Sequence, residues 1–362
     1  MTTPVYAVDS SRLGGEVLYE LLERGIRHAP VIAEQGRLVG VVEDADLFAI
    51  QPRSWFGVRR LIARAKDLKM LAGVAGDLPG LMLDLHTSSL RAPEIARVLS
   101  ALMDALTCRA LELAPGGEEL PADGIVWVAV GAQARRELTM ASRPGGVLIC
   151  SQAPPVRWLA SVTEAFRECS LVTPVLARVG AQWLGFAPED ELALAVLVDR
   201  RPLWGTPRDP LPVATGAARE QVLAALRARA LAFSPPTGFD DGGVLTSDGR
   251  RSELLDIRLA AVAPLVELAR WAGVAAGAEE GSTLDRLRAA GHAGVLREAD
   301  ALTLSDAFEL ALELRIDHQM QQLVAGGPAD DLLLTSAMSP LTRGHLRDVF
   351  RAITGVQQEL RG

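Results

Sequence analysis

The stretch from Val126 to Cys150, VWVAVGAQARRELTMASRPGGVLIC, constrains the fold of this chain more than any other. Val126, Trp127, Val128, Ala129 and Val130 form a short apolar run that reads as a buried strand. Gly131 breaks the run, a polar helical turn follows, and Val147, Leu148 and Ile149 begin a second strand. A strand feeding a helix through glycine, then returning as a strand, calls for a sheet with helices packed on it. The start of such a helix exposes backbone N–H groups, which suit an anion.

With 362 residues, the chain is long enough for two or three domains. Apolar residues make up 49% and charged residues 23%, so each domain can bury a core. No apolar run approaches the roughly 18 residues of a membrane span. The opening MTTPVYAVDSS lacks a basic region followed by an apolar segment, so no signal peptide is expected. Cys108, Cys150 and Cys169 are odd in number and lack metal-ligand spacing, as expected of thiols in a reducing cytoplasm. The net charge of −8 argues against nucleic-acid binding, which depends on neutralising phosphates. Lysine occurs only at positions 66 and 69 while arginine and alanine abound, a bias expected of a GC-rich bacterial genome.

Residues 1–52 form a first unit. A strand ends at Val8, and Leu13, Val17, Leu18, Leu21 and Leu22 recur at helical spacing before a stop at Gly25. His28–Ile32 and Leu38–Val42 are two strands joined by a turn, and Asp44–Ile50 begins a closing helix. The string GIRHAPVIAEQGRLVGVVEDADL resembles a CBS motif, present once where the usual module pairs two. The resemblance implies a nucleotide site at His28, Gly40 and Asp46. Glu43 stands where the family places a hydroxyl residue and would repel a phosphate. This favours packing or dimerisation, and a second chain would supply the missing half as a symmetric homodimer.

Residues 53–114 are a helical lead-in, with Val58, Leu61, Ile62 and Ala65 on one face and Ile95, Val98, Leu99, Leu102 and Met103 on another. Asp77 to Gly80 is a break. Residues 115–215 carry the strand–glycine–helix–strand stretch, and then Leu192–Val198 followed by Asp199-Arg200-Arg201-Pro202-Leu203-Trp204-Gly205. Residues 216–362 read as a helical bundle with polar turns.

Gly131, Arg135, Glu137 and Thr139 match the pattern G-S-x-x-R-x-E-x-T of nucleotidyltransferase-like proteins, and the later D-x-R-P-x-x-G segment is also present. In segment order nearly the whole chain resembles the CBS-linked DUF294 type of that family, related to the protein-PII uridylyltransferases, with a C-terminal helical substrate-binding domain. The implied fold class is α+β multidomain: a CBS-like α/β unit, a helical lead-in, a mixed sheet of the polymerase-β type with helices, and a helical bundle. The implied nucleotide contacts are Gly131, Ala132, Arg135, Thr139 and Arg143. The family's serine is Ala132 here, and its D-x-D aspartates are Arg143 and Gly145. Ser170–Gly185 also departs from the family's Gly-rich, Asn-containing segment.

The missing acids matter because nucleotidyl transfer uses divalent metals to neutralise the phosphates and align the reacting oxygens. Mg²⁺ requires hard oxygen ligands. Arg143 repels a metal and Gly145 offers no ligand, although Arg143 suits a phosphate oxygen. Glu137 and Asp199 are the remaining catalytic candidates. Arg135 and Glu137 equally suit a structural ion pair, and Arg201 suits pairing with an acid. His318 on its Leu-rich helix suits a hydrogen-bonded core histidine, and Asp240–Asp241 suits a turn in a Gly-rich loop.

Three functions compete. The first is a cytoplasmic regulatory protein on a degenerate transferase core, binding a nucleotide or a protein partner, with no cofactor expected. The second is an active enzyme moving a nucleoside monophosphate from a triphosphate to a protein or small acceptor, with Mg²⁺ held by Glu137 and Asp199. The third is a structural interaction module without a ligand.

Overall fold

The computed structural model describes residues 6–12, 14–33, 36–43, 55–88, 90–121, 123–171, 174–185, 190–240, 243–278 and 280–361. The chain is an α+β multidomain protein that divides into two compact units. One comprises Met1–Pro121, Arg136–Thr139 and Pro154–Val175; the other comprises Ala122–Arg135, Met140–Ala153 and Leu176–Gly362. Among the described residues no helix is long and apolar enough to cross a membrane.

The first unit opens with a three-stranded sheet, β1 (Val8–Asp9), β2 (His28–Ile32) and β3 (Leu38–Glu43), in which β2 runs parallel to β1 and antiparallel to β3. The helix Gly14–Arg24 turns Val17 and Leu21 onto Val8 and Ala29, and Gly25 ends it at φ +66°, a left-handed stop that glycine takes without strain. The closing helix expected over Asp44–Ile50 lies outside the described residues. β3 is an edge strand whose Leu38, Val39 and Val41 are all exposed. Four helices follow: Trp55–Arg64, Leu68–Gly76, Leu78–His86 and the long Ala92–Leu113.

Asp67 caps the helix it precedes by accepting from Met70 N at 2.8 Å. The expected break narrows to Asp77, since Leu78, Pro79 and Gly80 form the first turn of the next helix, where proline's missing N–H costs nothing. Leu61 departs from its expected face: it is exposed while Val58, Ile62 and Ala65 are buried. The amphipathic helix Val156–Glu168 packs Trp158, Val162, Ala165 and Phe166 inward against Ala92–Leu113.

The second unit is built on a four-stranded sheet in the order β6 (Ala177–Val179), β5 (Gly146–Cys150), β4 (Ile125–Val130) and β7 (Arg200–Thr206). β4 is antiparallel to both β5 and β7, while β5 and β6 are parallel, so the sheet is mixed. Pro202 sits on the edge strand β7, where a missing N–H is tolerated, beside a register shift at Trp127/Val128.

Val126, Val128, Val130, Val147 and Ile149 turn one face onto Trp183 and the helix Glu191–Val198. That helix is apolar almost all round because its far side, Leu194, Leu197 and Val198, packs on the helices Gly216–Ala232 and Ala263–Ala275. The helix thus packs on the sheet with one side and on the C-terminal helices with the other, all within the second unit. Thr283–His292, Glu298–Val324 and Pro340–Arg361 complete the helices.

The C-terminal region is not purely helical. β8 (Gly238–Asp240), β9 (Gly243–Leu245) and β10 (Arg251–Ser252) form one small sheet, and β11 (Leu254–Asp256) pairs with β12 (Leu332–Leu334). Each strand has two or three residues, too few to display alternation in the sequence.

A Cβ at Gly146 would fall inside the Trp127 ring, which is itself 1% exposed. Gly146→Ala is therefore expected to destabilise the chain by about 1–3 kcal/mol, the usual cost of overpacking. The check is the urea unfolding midpoint; no shift would show that the indole can move aside.

Candidate functional site

β4 ends in Gly131 at φ +60°, and the chain turns into the five-residue helix Gly131–Arg135. Short helices leave carbonyls without partners at their C-terminal end. Here Arg201 of β7 supplies donors to Gln133 O at 2.8 Å and Ala134 O at 3.2 Å. Arg136 then takes φ +63°, a left-handed conformation uncommon for a non-glycine residue, and ends the turn.

The strongest electrostatic feature of this unit is Asp199, at the end of the helix Glu191–Val198 and 3% exposed. Its Oδ2 accepts from Arg135 at 2.6 Å and lies 3.0 Å from Arg270 Nε, close enough for an ion pair but not aligned as a hydrogen bond. Its Oδ1 accepts from Arg286, which also donates to Val198 O at 2.7 Å. Arg270 continues to Glu267 at 2.8 and 2.9 Å, and Glu267 meets Arg229 at 3.3 Å. Gly273 makes room for this arrangement, since a Cβ there would lie 2.7 Å from Arg286 Cγ.

Burial alone would raise the Asp199 pKa. The charges of Arg135, Arg270 and Arg286 outweigh it and hold the carboxyl well below the ordinary carboxylate range. Three guanidiniums against Asp199 and Glu267 leave a net positive charge, so a divalent cation would be repelled. Asp199 is the hub of this arrangement, with both carboxylate oxygens engaged by guanidiniums. Among the described residues no three His, Cys, Asp or Glu side chains come together as metal ligands.

The other sequence-predicted residues are dispersed. Arg135 is buried and pairs with Asp199. Glu137 and Thr139 are also buried, in the segment Arg136–Thr139 that belongs to the first unit, where Leu138 N donates to Ser100 Oγ at 3.2 Å. Gly131 and Ala132 are half-buried and Arg143 is exposed.

Arg143 and Gly145 precede β5 instead of lying within it, although Gly145 O still accepts from Val130 N at 2.9 Å. A side chain at 145 would meet Val130 O at 3.3 Å. The loop before Arg143 is held by Gln319, which accepts from Ala141 N at 3.3 Å and donates to Asp331 at 2.8 Å. Asp331 in turn receives Arg315 at 2.7 and 2.9 Å. Arg270, Arg286, Glu267 and Gln319 lie in segments that resemble the family's C-terminal helical domain, but no spacing rule gave any of them a role. His318 lies 3.2 Å from Asp330; Asp240 ends β8 opposite Gly243 of β9, 2.7 Å from Arg251, and Asp241 lies outside the described residues.

In the first unit His28 and Glu43 are cross-strand partners, with Nε2 and Oε1 3.0 Å apart. The residue expected to repel a phosphate thus occupies one of the residues expected to bind it. Gly40 is exposed, and Asp46 lies outside the described residues. Burial pushes the Cys150 and Cys169 thiols up to about 11, so neither is a nucleophile at neutral pH.

Three family models match in the order expected of these segments. A CBS domain covers residues 1–52, Putative nucleotidyltransferase DUF294 covers 76–180, and Putative nucleotidyltransferase substrate binding domain covers 220–362. The chain belongs to the CBS-linked DUF294 nucleotidyltransferase family. No curated protein matches it. The DUF294 match spans β4, β5 and the turn between them, and the substrate-binding match contains Arg270 and Arg286. The Asp199 cluster therefore brings together groups from both matched segments and from the link between them.

Replacing Asp199 by Asn leaves buried guanidiniums facing a neutral amide, a loss of about 3–5 kcal/mol when one member of a buried pair is removed. The folded-state pKa is depressed, so the carboxylate's contribution is fully present above roughly pH 4 and is lost as pH falls toward the folded value. The gap in unfolding midpoint between wild type and Asp199→Asn should be wide at pH 7 and narrow at pH 3. A gap independent of pH would contradict this account.

Proposed function

We propose that this chain is a regulatory, signal-transducing protein on a nucleotidyltransferase core, related to the protein-PII uridylyltransferases, that no longer performs transfer. One observation carries the reading: Asp199 is saturated by three arginines. The family's D-x-D positions hold Arg143 and Gly145, which supply no anionic oxygen. The metal that transfer chemistry needs does not fit this set of donors, since Mg²⁺ is held by carboxylates and phosphate oxygens. Glu137, the other catalytic candidate, is buried in the first unit.

The reading retains a ligand. Half-buried Gly131 and Ala132 leave the β4 turn open to a nucleotide, and exposed Arg143 suits a phosphate. The CBS-like unit supports a homodimer: β3 exposes Leu38, Val39 and Val41 on an edge strand, which soluble chains ordinarily cover or charge. The His28–Glu43 pair favours dimerisation over phosphate sensing there. The cytoplasm is the expected compartment, with buried, unreactive Cys150 and Cys169 in keeping with it.

The purified chain, incubated with Mg²⁺ or Mn²⁺ and each labelled nucleoside triphosphate in cell lysate, should release no pyrophosphate above a protein-free blank and label no acceptor. Robust transfer would overturn the reading and establish the active alternative. Sedimentation should give a dimer that Val39→Glu with Val41→Glu converts to monomer. A monomeric wild type would remove the dimer from the proposal.

A further inference from the structure

The C-terminal helix Pro340–Arg361 carries arginines at 343, 347, 351 and 361, and the last three share the groove face with Thr354 and Gln358. Spacings of four, three, four and three residues place all five on one helical stripe. The stripe lines a groove of about 500 Å³ whose opposite wall is Ser234, Pro235, Pro236 and Thr237, with Ser247 beside it. Among the described residues no carboxylate lines the groove, in a chain of net charge −8.

At both ends of the groove the flanking side chains already have partners. Gln357 donates to Ala230 O at 2.8 Å and Phe233 O at 2.9 Å, and Arg361 to Leu231 O at 3.3 Å. At the other end Arg347 donates to Phe239 O at 3.3 Å and lies over the Phe239 ring at 5.7 Å. The chain from 230 to 239 thus runs antiparallel to the helix, and Ser234–Thr237 faces its middle. That middle belongs to Arg351, whose recorded partner is Asp348 one turn back at 2.8 Å, with both side chains mostly exposed. Such a pair is weak and easily exchanged.

Gly355 has nothing within 4 Å of where its Cβ would stand. Glycine in a helix interior costs about 1 kcal/mol relative to alanine. At this position it keeps the groove open.

We infer that this groove binds a small phosphate-bearing ligand, with Arg351 receiving the phosphate and the hydroxyls of Ser234, Ser247 and Thr354 completing its shell. Guanidinium is the side chain best matched to phosphate oxygens, and the two prolines hold the facing wall rigid. Only the last of the three arginines lies in the final helical turn, so complementing the helix dipole does not account for the stripe. The inference stands apart from the transferase reading, since every residue used lies within the C-terminal region.

The test is calorimetric titration of the full chain, at low salt, with inorganic pyrophosphate and with ADP. Binding of either, weakened at least tenfold by Arg351→Glu and abolished by Gly355→Leu, supports the site. Tighter ADP assigns it to a nucleotide, and equal affinities assign it to a free diphosphate. Gly355→Leu raises helix propensity while filling the groove, so its loss of binding with an unchanged or higher unfolding temperature is not a folding defect. No binding of either probe at millimolar concentration overturns the inference. So does binding that survives Arg351→Glu, or that is lost with Arg143→Glu instead.

Discussion

The arrangement of the second unit depends on one carboxylate. Asp199 receives Arg135 from the turn after β4, Arg270 from the helix Ala263–Ala275 and Arg286 from the helix Thr283–His292. These three elements have no local reason to meet. Burying a single guanidinium is costly, and burying three is tolerable only where anions and carbonyls satisfy them together. Asp199, Glu267 and Val198 O do so within a few ångströms. Such a cluster adds less net stability than apolar packing of equal volume would. It fixes position instead, because any other docking of these helices would strand a buried charge.

The same geometry decides what chemistry the sheet can perform. A carboxylate beside a strand edge is useful to a metal when its lone pairs and its charge are available. Here both oxygens are committed, and the surrounding charge is positive even after Glu267 is counted. Arg143 adds another cation at the mouth of the β4–β5 turn. The absence of acids at 143 and 145 and the saturation of Asp199 each remove anionic oxygens that a metal would need. Acids restored at 143 and 145 would face a neighbourhood already organised around cations, and Gly145 leaves little room beside Val130.

Much of this was legible in the sequence, for reasons that differ by element. β4 and β5 announced themselves as short apolar runs because both faces are buried. The β-α-β-β order of the first unit followed from helical spacing and the glycine stop. What was hidden was set by distance along the chain. Arg135 and Asp199 are 64 residues apart, and Asp199 and Arg286 are 87 apart. No spacing rule couples arginines over that range, so Asp199 looked like a lone carboxylate. His28 and Glu43 looked like separate ligand positions until the antiparallel register of β2 and β3 set them opposite each other. Leu61 shares a helical face with Ile62 only loosely, and the small strands β8 to β12 are too short to carry a period.

The contrast between the two arginine clusters of the second unit is informative. Around Asp199 every guanidinium is nine-tenths buried or more and has an anion within 3 Å. Along Pro340–Arg361 the guanidiniums share one stripe over an open groove, and Arg351 is left with a solvated neighbour on its own helix. The buried cluster is satisfied within the protein, whereas Arg351 is solvated and free to meet an external anion. Cations that serve only solubility would be scattered among acids. Cations aligned on one face, across from hydroxyls and prolines and around a glycine that costs helix stability, are arranged for a visitor. The substrate-binding name of the C-terminal family and the loss of metal ligands in the core then fit together.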